Sequence, residues 1–458
     1  MQSLKKDLVV MAFNLESFCP EVWSQIEIDA GGDYKICCLA NNDNFFGMAI
    51  DDNNNVMNVL THSIQDALNS KAHKEHRLEL KNNVKPKRCK NCYDSELATK
   101  GNVKVAGIIS KYGNSKRQRV IEITAPSIPE YVTIDNVDQL TNEDGSVTSR
   151  VVNLDIRFGN LCNYKCIMCS PRESNQWYED WIALDLYEDQ SQEYRKGAYK
   201  VYPITRDTRG KLQMEGMTPW WESDVWWTRF DEIAPSLRYI YFTGGEPLLV
   251  PAMQECLDRL INSGHAKDIQ LRYDTNLSVI NSKVIDKWKH FKDIHLCVSI
   301  DDTDDRYSLI RYPGDFDKFI SNIKLLKENN IGIHYVSACV GMASIYNMTR
   351  VLPLADELGI ITNFRFLEGP GFLDIRILPK SAKLEIIETL EKIPGPAHHR
   401  RWYNAEIKIL KEYLESSDTT KIKKFVRVMN KLDELRNTNW RQTIPDVYDL
   451  LKRHCEIE

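Results

Sequence analysis

The 458-residue sequence lacks a long apolar run, an excess of basic residues and an internal repeat. No stretch approaches the ~20 consecutive apolar residues that a membrane-spanning helix needs, and the apolar run from Leu8 to Phe13 is too short for the core of a secretion signal. The formal net charge of −5 gives no electrostatic reason to expect nucleic acid or an anionic membrane as a partner. These absences predict a soluble, cytoplasmic protein.

Cysteine, in contrast, is abundant, with 12 residues. In a reducing compartment, clustered cysteines more often bind metal than form disulfides. Seven of them fall into two groups, which are Cys162, Cys166 and Cys169, and Cys19, Cys37, Cys89 and Cys92. We expect the other five to be packed as small apolar side chains or to be idle on the surface.

The first group has the spacing C-x3-C-x2-C and follows Val151–Arg157, a run that predicts a buried strand. Three thiolates on a short loop can hold three irons of a four-iron cluster and leave the fourth iron free to bind a small molecule. A closed structural metal site would use four ligands, so three cysteines indicate an open site.

The second group has the spacing C-x12-G-x4-C, then a long gap, then C-x2-C. Alternating residues predict a hairpin, with strands over Val22–Ile28 and Tyr34–Cys38, and a helix follows over about Ser63–Leu80. Four converging thiolates would saturate either a zinc ion or a four-iron cluster, and the spacing does not choose between them. Cys37 satisfies G-x4-C, with Cys38 on the opposite face of the strand as the alternative.

Beyond Arg157, strands and helices alternate. The predicted strands are Leu237–Phe242, Ile269–Tyr273, Ile294–Ile300, Gly332–Val340 and Ile361–Phe366. Helical stretches lie near 251–263, 279–291, 316–329 and 347–358. This alternation predicts a parallel α/β sheet that binds ligands at the carboxyl ends of its strands. A barrel and a doubly wound sheet would give the same periodicity.

Polar motifs lie at the ends of the first four of these strands. They are Thr243-Gly244-Gly245-Glu246-Pro247, then Asn276, then Ser299 with Asp301, and finally Asn347. Paired glycines let a backbone approach a ligand closely. For Asn276, Asp301 and Asn347, turn formation and helix capping are the alternatives to a direct role.

The cysteine triad followed one strand later by Gly244-Gly245-Glu246-Pro247 resembles the radical S-adenosylmethionine (SAM) superfamily. The hairpin with G-x4-C, the helix and the late C-x2-C resemble its twitch or SPASM accessory domain, which here precedes the barrel. The resemblance implies an α/β fold, a partial (β/α)6 TIM-like barrel with a small N-terminal α+β cluster-binding domain and a helical C-terminal extension. It also implies SAM and two [4Fe-4S] clusters as cofactors. The SAM-binding positions that it implies are Met168, Gly244, Gly245, Glu246, Pro247, Asn276, Ser299, Asp301 and Asn347.

We expect four regions. Residues 1–102 form the cluster domain, 103–150 a β-rich connector, 151–368 the barrel and 369–458 a mostly helical extension. An insertion at 187–236 interrupts the barrel, and the stretch from Trp177 to Trp227 contains six of the ten tryptophans. These aromatic residues either pack the insertion against the barrel or form a lid or partner surface.

The resemblance implies that a low-potential donor such as flavodoxin or ferredoxin drives reductive cleavage of SAM to a 5′-deoxyadenosyl radical, which abstracts hydrogen from a substrate. A peptide or protein side chain is the first expectation and a nucleotide-like small molecule the second. Two alternatives stay open: an iron–sulfur electron carrier or scaffold without SAM turnover, and a zinc-ribbon-like recognition module at residues 1–102.

Overall fold

The computed structural model describes residues 14–40, 47–98, 103–105, 108–110, 116–121, 126, 128, 130–186 and 203–457. Its strands are β1 Gln25–Ile28, β2 Tyr34–Lys35, β3 Val103–Val105, β4 Ile108–Ser110, β5 Asn153–Arg157, β6 Ile204–Arg206, β7 Leu212–Met214, β8 Tyr239–Thr243, β9 Gln270–Thr275, β10 Asp293–Ser299, β11 Ile333–Val340 and β12 Thr362–Phe366. Its helices are α1 Glu21–Ser24, α2 Ile64–Leu68, α3 Lys71–Lys81, α4 Lys90–Ala98, α5 Lys116–Arg119, α6 Val137–Leu140, α7 Trp177–Ala183, α8 Asp224–Ile233, α9 Pro251–Asn262, α10 Ser282–Trp288, α11 Asp304–Ile310, α12 Phe316–Glu328, α13 Met348–Leu358, α14 Lys380–Lys392, α15 Ala397–Glu412, α16 Thr419–Arg436, α17 Trp440–Thr443 and α18 Pro445–His454.

One eight-stranded sheet organises the molecule, in the order β12-β11-β10-β9-β8-β5-β1-β2. The six strands from β5 to β12 are parallel and lie side by side in chain order. Right-handed crossovers between such neighbours place all the connecting helices on one side of the sheet. In the described part of the chain β12 pairs only with β11, so the sheet forms an open arc. The predicted partial barrel is confirmed, and each predicted strand of it lies within two residues of the observed one.

The N-terminal hairpin is part of this sheet. Strand β1 pairs in parallel with β5, from Gln25 opposite Asn153 to Ile28 opposite Ile156, and β2 pairs antiparallel with β1 at the edge. Its apolar residues Ile26 and Ile28 are buried. The sequence did not predict this junction.

Three N-terminal elements differ from their predicted bounds. The first predicted strand begins instead as the short helix α1, and the return strand ends at Lys35 because the chain turns at Cys37, whose carbonyl accepts a hydrogen bond from the Ala40 amide. The predicted helix from Ser63 is two helices, because the Ser63 and Ser70 side chains each accept a backbone N–H at a new helix start.

In β8 and β9, buried residues alternate with half-buried ones. In β8, Ile240 and Phe242 are buried, whereas Tyr239 and Tyr241 are half-buried. Parallel strands covered by helices on both faces are apolar on both faces. The alternation therefore indicates that one face packs against the crossover helices and the other lines the inside of the arc.

The described tryptophans of the insertion serve packing. Trp220 stacks on Phe158 with ring centroids 5.4 Å apart, and Trp226 meets the same ring edge-on. The Trp220 indole N–H donates to the Ala30 carbonyl, which ties the insertion to the N-terminal hairpin. The insertion's Tyr187, Tyr194, Tyr199 and Tyr202 lie outside the described residues. No helix in the described ranges is long and apolar enough to span a bilayer.

The C-terminal extension, α14 to α18, contains a buried acid, Glu406. Its side chain is fully buried and neither carboxyl oxygen has a hydrogen-bond partner among the described residues. Burial raises its pKa well above the ordinary 4.5.

We predict that Glu406 makes the protein less stable as the pH rises. The folded chain holds a proton that the unfolded chain releases above pH ~4.5, so the free energy of unfolding falls as the pH rises from there through neutrality. Glu406→Gln keeps the shape and removes this dependence. Urea unfolding at pH 5 and pH 8 measures it, with the exposed Glu412→Gln as the control; an unchanged pH dependence in Glu406→Gln would contradict the assignment.

Candidate functional site

The loop with the first cysteine group leaves the carboxyl end of β5 and is held from several sides. The amides of Lys165 and Ile167 donate to the carbonyls of Tyr312 and Ile310, at 2.7 and 2.9 Å. The Trp177 indole N–H donates to the Cys166 carbonyl at 2.9 Å. These bonds fix the loop independently of any bound group.

The three thiols of this loop converge. Cys162 and Cys166 are buried and Cys169 is half-buried. The Cys166 sulfur accepts a hydrogen bond from Cys169, which lowers the pKa of Cys166. Burial, together with the nearby Cys166, raises the pKa of Cys162 to about 12. The Cys162 thiol therefore stays protonated near neutral pH unless a metal replaces the proton.

Two buried arginines lie next to Cys166. Arg311 donates to the Asp301 carboxylate at 2.5 Å, and its Nε has no hydrogen-bond partner among the described residues. Arg436, the last residue of α16, donates to Asp180 at 2.9 Å, with its guanidinium 4.8 Å from the centroid of the Trp177 ring. Both positive charges lower the pKa of the Cys166 thiol after the larger effect of Cys169. They offset the negative charge that thiolate ligands bring.

The glycine motif after β8 packs directly on the cysteine loop. Gly244 has φ +94°, and a Cβ on Gly245 would lie 2.1 Å from the Leu161 carbonyl oxygen. The Glu246 amide donates to that same oxygen at 2.7 Å. Pro247 is buried beside it and opens a short 3-10 turn. The backbones of the two loops therefore touch, and no side chain fits at Gly245.

The Glu246 carboxylate is turned into the fold and is fully buried. It accepts hydrogen bonds from the Thr275 hydroxyl and the Asn276 amide, both at 2.7 Å, and from the Leu248 amide at 3.1 Å. Burial raises its pKa. Glu246 thus joins the ends of β8 and β9.

Asn276 touches the cysteine loop directly. Its side-chain nitrogen donates to Asn163 at 3.1 Å and lies 3.9 Å from the Cys162 sulfur. Its oxygen accepts from the Ser278 amide. The side chain therefore both forms the turn and contacts a candidate ligand.

Asp301 and Asn347 form one buried group one strand further. Asp301, at φ +60°, accepts from the Cys339 amide at 2.7 Å, and its carbonyl accepts from Asn347 at 2.6 Å. The Asn347 Oδ1 is buried, and no described residue donates a hydrogen bond to it. Arg311, which donates to Asp301, also lowers the pKa of Cys166 by its charge, so it links this group to the cysteine loop. Ser299 is half-buried at the end of β10, and Met168 is half-buried within the loop. Contact of any of these residues with SAM stays a prediction.

The second cysteine group lies near the amino end of β1. Cys19 and Cys92 are buried. Burial raises the pKa of Cys89, and the nearby Cys19 and Cys92 raise it further. Burial raises the pKa of Cys19 to about 12. Sequence reasoning missed His76, whose Nε2 lies 3.3 Å from the Cys89 sulfur.

Cys37 and Cys38 both lie near this group. The Cys37 sulfur is half-buried and accepts from the Leu39 amide at 3.4 Å. Lys116 Nζ donates to the Cys38 sulfur at 3.4 Å, and the charge of Cys38 acts on Cys92. The turn that ends β2 thus keeps both sulfurs available, and the choice between them stays open.

The sulfur spacing favours a cluster over a single zinc ion. A tetrahedral zinc–thiolate site with bonds of about 2.3 Å holds its sulfurs about 3.8 Å apart. Within the described ranges no three cysteine sulfurs lie within 4.8 Å of one another. This spacing is wider than a single tetrahedral zinc ion would hold, and the binding of clusters by these cysteines stays a prediction.

These features place two groups of cysteines beside one parallel α/β sheet. Residues 220–345 match the radical SAM superfamily, and residues 19–93 match SPASM, an iron–sulfur cluster-binding domain. The chain accordingly contains a segment that matches the radical SAM superfamily, with an iron–sulfur cluster-binding SPASM segment ahead of it, and these matches imply SAM and iron–sulfur clusters as cofactors. The first match begins after Cys169, so the assignment of that loop rests on the geometry above.

Several solved structures are similar at low identity. Native anSMEcpe with bound AdoMet is 15% identical over 58% of this chain and 64% of that chain, with a TM-score of 0.35. SuiB of Streptococcus suis, bound to S-adenosylmethionine, is 14% identical over 52% of this chain and 44% of that chain, with a TM-score of 0.30. The radical SAM methyltransferase TsrM from Kitasatospora setae is 13% identical over 49% of this chain and 46% of that chain, with a TM-score of 0.27.

This chain spans less than two-thirds of each of these three proteins. Superpositions this loose carry no argument about function. No curated protein matches the chain.

We predict that Gly245→Ala prevents cluster assembly in the first site. The new Cβ would displace the Leu161 carbonyl and with it the start of the cysteine loop. Anaerobically reconstituted Gly245→Ala should contain about four irons fewer per chain than the wild type. Gly332→Ala is the matched control, since a Cβ there meets nothing within 4 Å. A full iron content in correctly folded Gly245→Ala, checked by circular dichroism, would show the contact to be dispensable.

A second prediction concerns His76. Burial lowers the pKa of its imidazole, so the ring is neutral and can donate Nε2–H to Cys89. A hydrogen bond to a ligand sulfur stabilises the reduced, more negative cluster and raises the reduction potential. His76→Leu should lower that potential, and His76→Gln should partly restore it.

The measurement is a redox titration followed by EPR, in a background where Cys162, Cys166 and Cys169 are replaced by alanine. His73→Gln is the control, because His73 is also buried on α3 but its ring contacts Ser70. Equal potentials for His76→Leu and the parent would refute the contact.

Proposed function

We propose that this radical SAM enzyme binds its SAM-cleaving [4Fe-4S] cluster through Cys162, Cys166 and Cys169 and abstracts hydrogen from a peptide or protein side chain. The observation that carries the first part is the loop itself, which brings three thiols together and supplies no fourth. A cluster held by three cysteines keeps one iron open for the amino and carboxylate groups of SAM. When bound, the cluster and SAM supply a radical able to remove hydrogen from carbon.

The chain's own residues prepare this site. Gly245 and Glu246 fix the loop against β8 and β9, and Asn276 contacts it from the end of β9. Arg311 and Arg436 place two positive charges beside Cys166. Because all these groups are held by other bonds, the site is organised before its cofactors enter, which reduces the cost of binding them.

The charges inside the arc support a peptide over a nucleotide-like substrate. Arg157 lies 3.5 Å from Glu27, and Arg272 lies 3.2 Å from Asp274. The negative charge of Asp274 also raises the pKa of Arg365. Among the described residues, each of these three guanidiniums is thus near a carboxylate, so this part of the face offers no cluster of free cations for a phosphate group. A peptide, with many hydrogen-bonding groups and little net charge, suits such a surface.

The test transfers deuterium from labelled substrate. Cells are grown in D₂O, and their extract is separated into a protein and peptide fraction and a nucleotide and small-molecule fraction. Each fraction is incubated anaerobically with the reconstituted enzyme, SAM and dithionite, and 5′-deoxyadenosine is analysed by mass spectrometry. We expect deuterium in the 5′-deoxyadenosine with the protein and peptide fraction.

The alternatives give different outcomes. Deuterium from the small-molecule fraction alone would replace the peptide by a small substrate. Absence of 5′-deoxyadenosine with either fraction would favour an electron carrier. The variant with Cys162, Cys166 and Cys169 replaced by alanine is the control and should form none.

A further inference from the structure

Three metal-ligating side chains meet far along the chain from both cysteine groups. Asp356 is in α13, the last crossover helix of the arc, and His398 and His399 are in the first turn of α15. Each offers one ligand atom, and these atoms lie within 4.8 Å of one another. In the part of the chain that the structure describes, no other group of cysteine, histidine, aspartate or glutamate side chains meets that criterion.

The distances suit a single ion. His398 Nε2 lies 3.0 Å from Asp356 Oδ1, and His399 Nε2 lies 2.7 Å from Asp356 Oδ2. In a tetrahedral zinc site with bonds of about 2.0–2.1 Å, ligand atoms lie about 3.3 Å apart. Outward shifts of a few tenths of an ångström would open the space an ion needs, and the exposed His398 and Asp356 side chains are free to make them.

His399 is the buried member of this group. Only 5% of this residue is exposed, and among the described residues its buried Nε2 has no partner at hydrogen-bonding geometry. Asp356 Oδ2 is close enough but lies off the direction in which the ring nitrogen bonds. Among the described residues, the bonding direction of this nitrogen is therefore unused.

A pair of salt bridges explains the arrangement less well. The His398 and His399 rings have centroids only 4.5 Å apart. Two salt bridges to one carboxylate would put two positive rings at that separation, and like charges so close repel. One divalent ion bound to two neutral imidazoles and a carboxylate avoids this repulsion.

We propose that Asp356, His398 and His399 bind one divalent transition-metal ion, zinc by preference, with water in the remaining position. Imidazole nitrogen and carboxylate oxygen are common zinc ligands, and three protein ligands plus water form an open four-coordinate site. The ion would clamp α15 of the C-terminal extension to α13 of the arc. This site is independent of the cysteine sites and of the substrate.

The test uses the full-length protein with its iron–sulfur clusters loaded. Zinc chloride is titrated against the wild type, Asp356→Asn and His398→Ala in competition with a fluorescent zinc chelator. His290→Ala, which removes an exposed histidine elsewhere, is the control. We expect one zinc ion per wild-type and control chain, and at least a hundredfold weaker binding in the other two variants.

X-ray absorption at the zinc edge identifies the ligands. We expect a first shell of nitrogen and oxygen only, at about 2.0–2.1 Å, whereas zinc in a cysteine site would show sulfur at about 2.3 Å. Equal zinc affinity in the wild type and Asp356→Asn, or sulfur in the first shell, would overturn the proposal. Because His398 and Asp356 are exposed, loss of zinc binding with an unchanged circular dichroism spectrum cannot be attributed to misfolding.

Discussion

The parallel pairing of β1 with β5 is the contact on which the arrangement of both cysteine groups depends. The chain reaches Cys19 just before β1, turns through Cys37 and Cys38 just after β2, and enters the Cys162 loop from the far end of β5. The register Gln25 to Asn153 therefore sets how far apart the two sites lie along the strands. At about 3.3 Å per residue, the four steps from Asn153, beside the N-terminal cysteine group, to Arg157, before the Cys162 loop, span about 13 Å.

The inner surface next to this junction carries the most unusual chemistry of the fold. Asp155 is buried with neither carboxyl oxygen bonded by any described residue, and burial raises its pKa well above the ordinary value. The charges of Cys38 and Glu27 act in the same direction, while Lys116 opposes them. Because Lys116 also contacts Cys38, a change of charge at the second cysteine group would change the pKa of Asp155.

The sequence predicted the regular part of the fold well and the long-range part poorly. The strands of the arc have strong local signals, in the alternation of apolar and polar residues and in the glycines and polar residues after each strand. Strand β1 has only four residues, and its partner Asn153 lies 128 residues from Gln25, so no local pattern reports the pairing. Arg436 is 256 residues from Asp180, and nothing in its neighbourhood distinguishes it from a surface arginine.

The same limit applies within the site. The cysteine spacing and the two glycines could be recognised because the loop geometry needs those residue types at those positions. Glu246 could be located but not oriented, since only the structure shows its carboxylate turned towards Thr275 and Asn276. The contribution of α16 to the environment of Cys166 could not be predicted from either segment alone.

The separation between β1 and β5 also has a consequence in time. A ribosome adds about 5–20 residues per second, so β5 emerges on the order of 6–25 seconds after β1. During that interval the β1–β2 hairpin has no neighbouring strand, and a two-stranded ribbon is marginal in water. The N-terminal cysteines are thus the first to be synthesised, yet their fixed positions depend on a strand made much later.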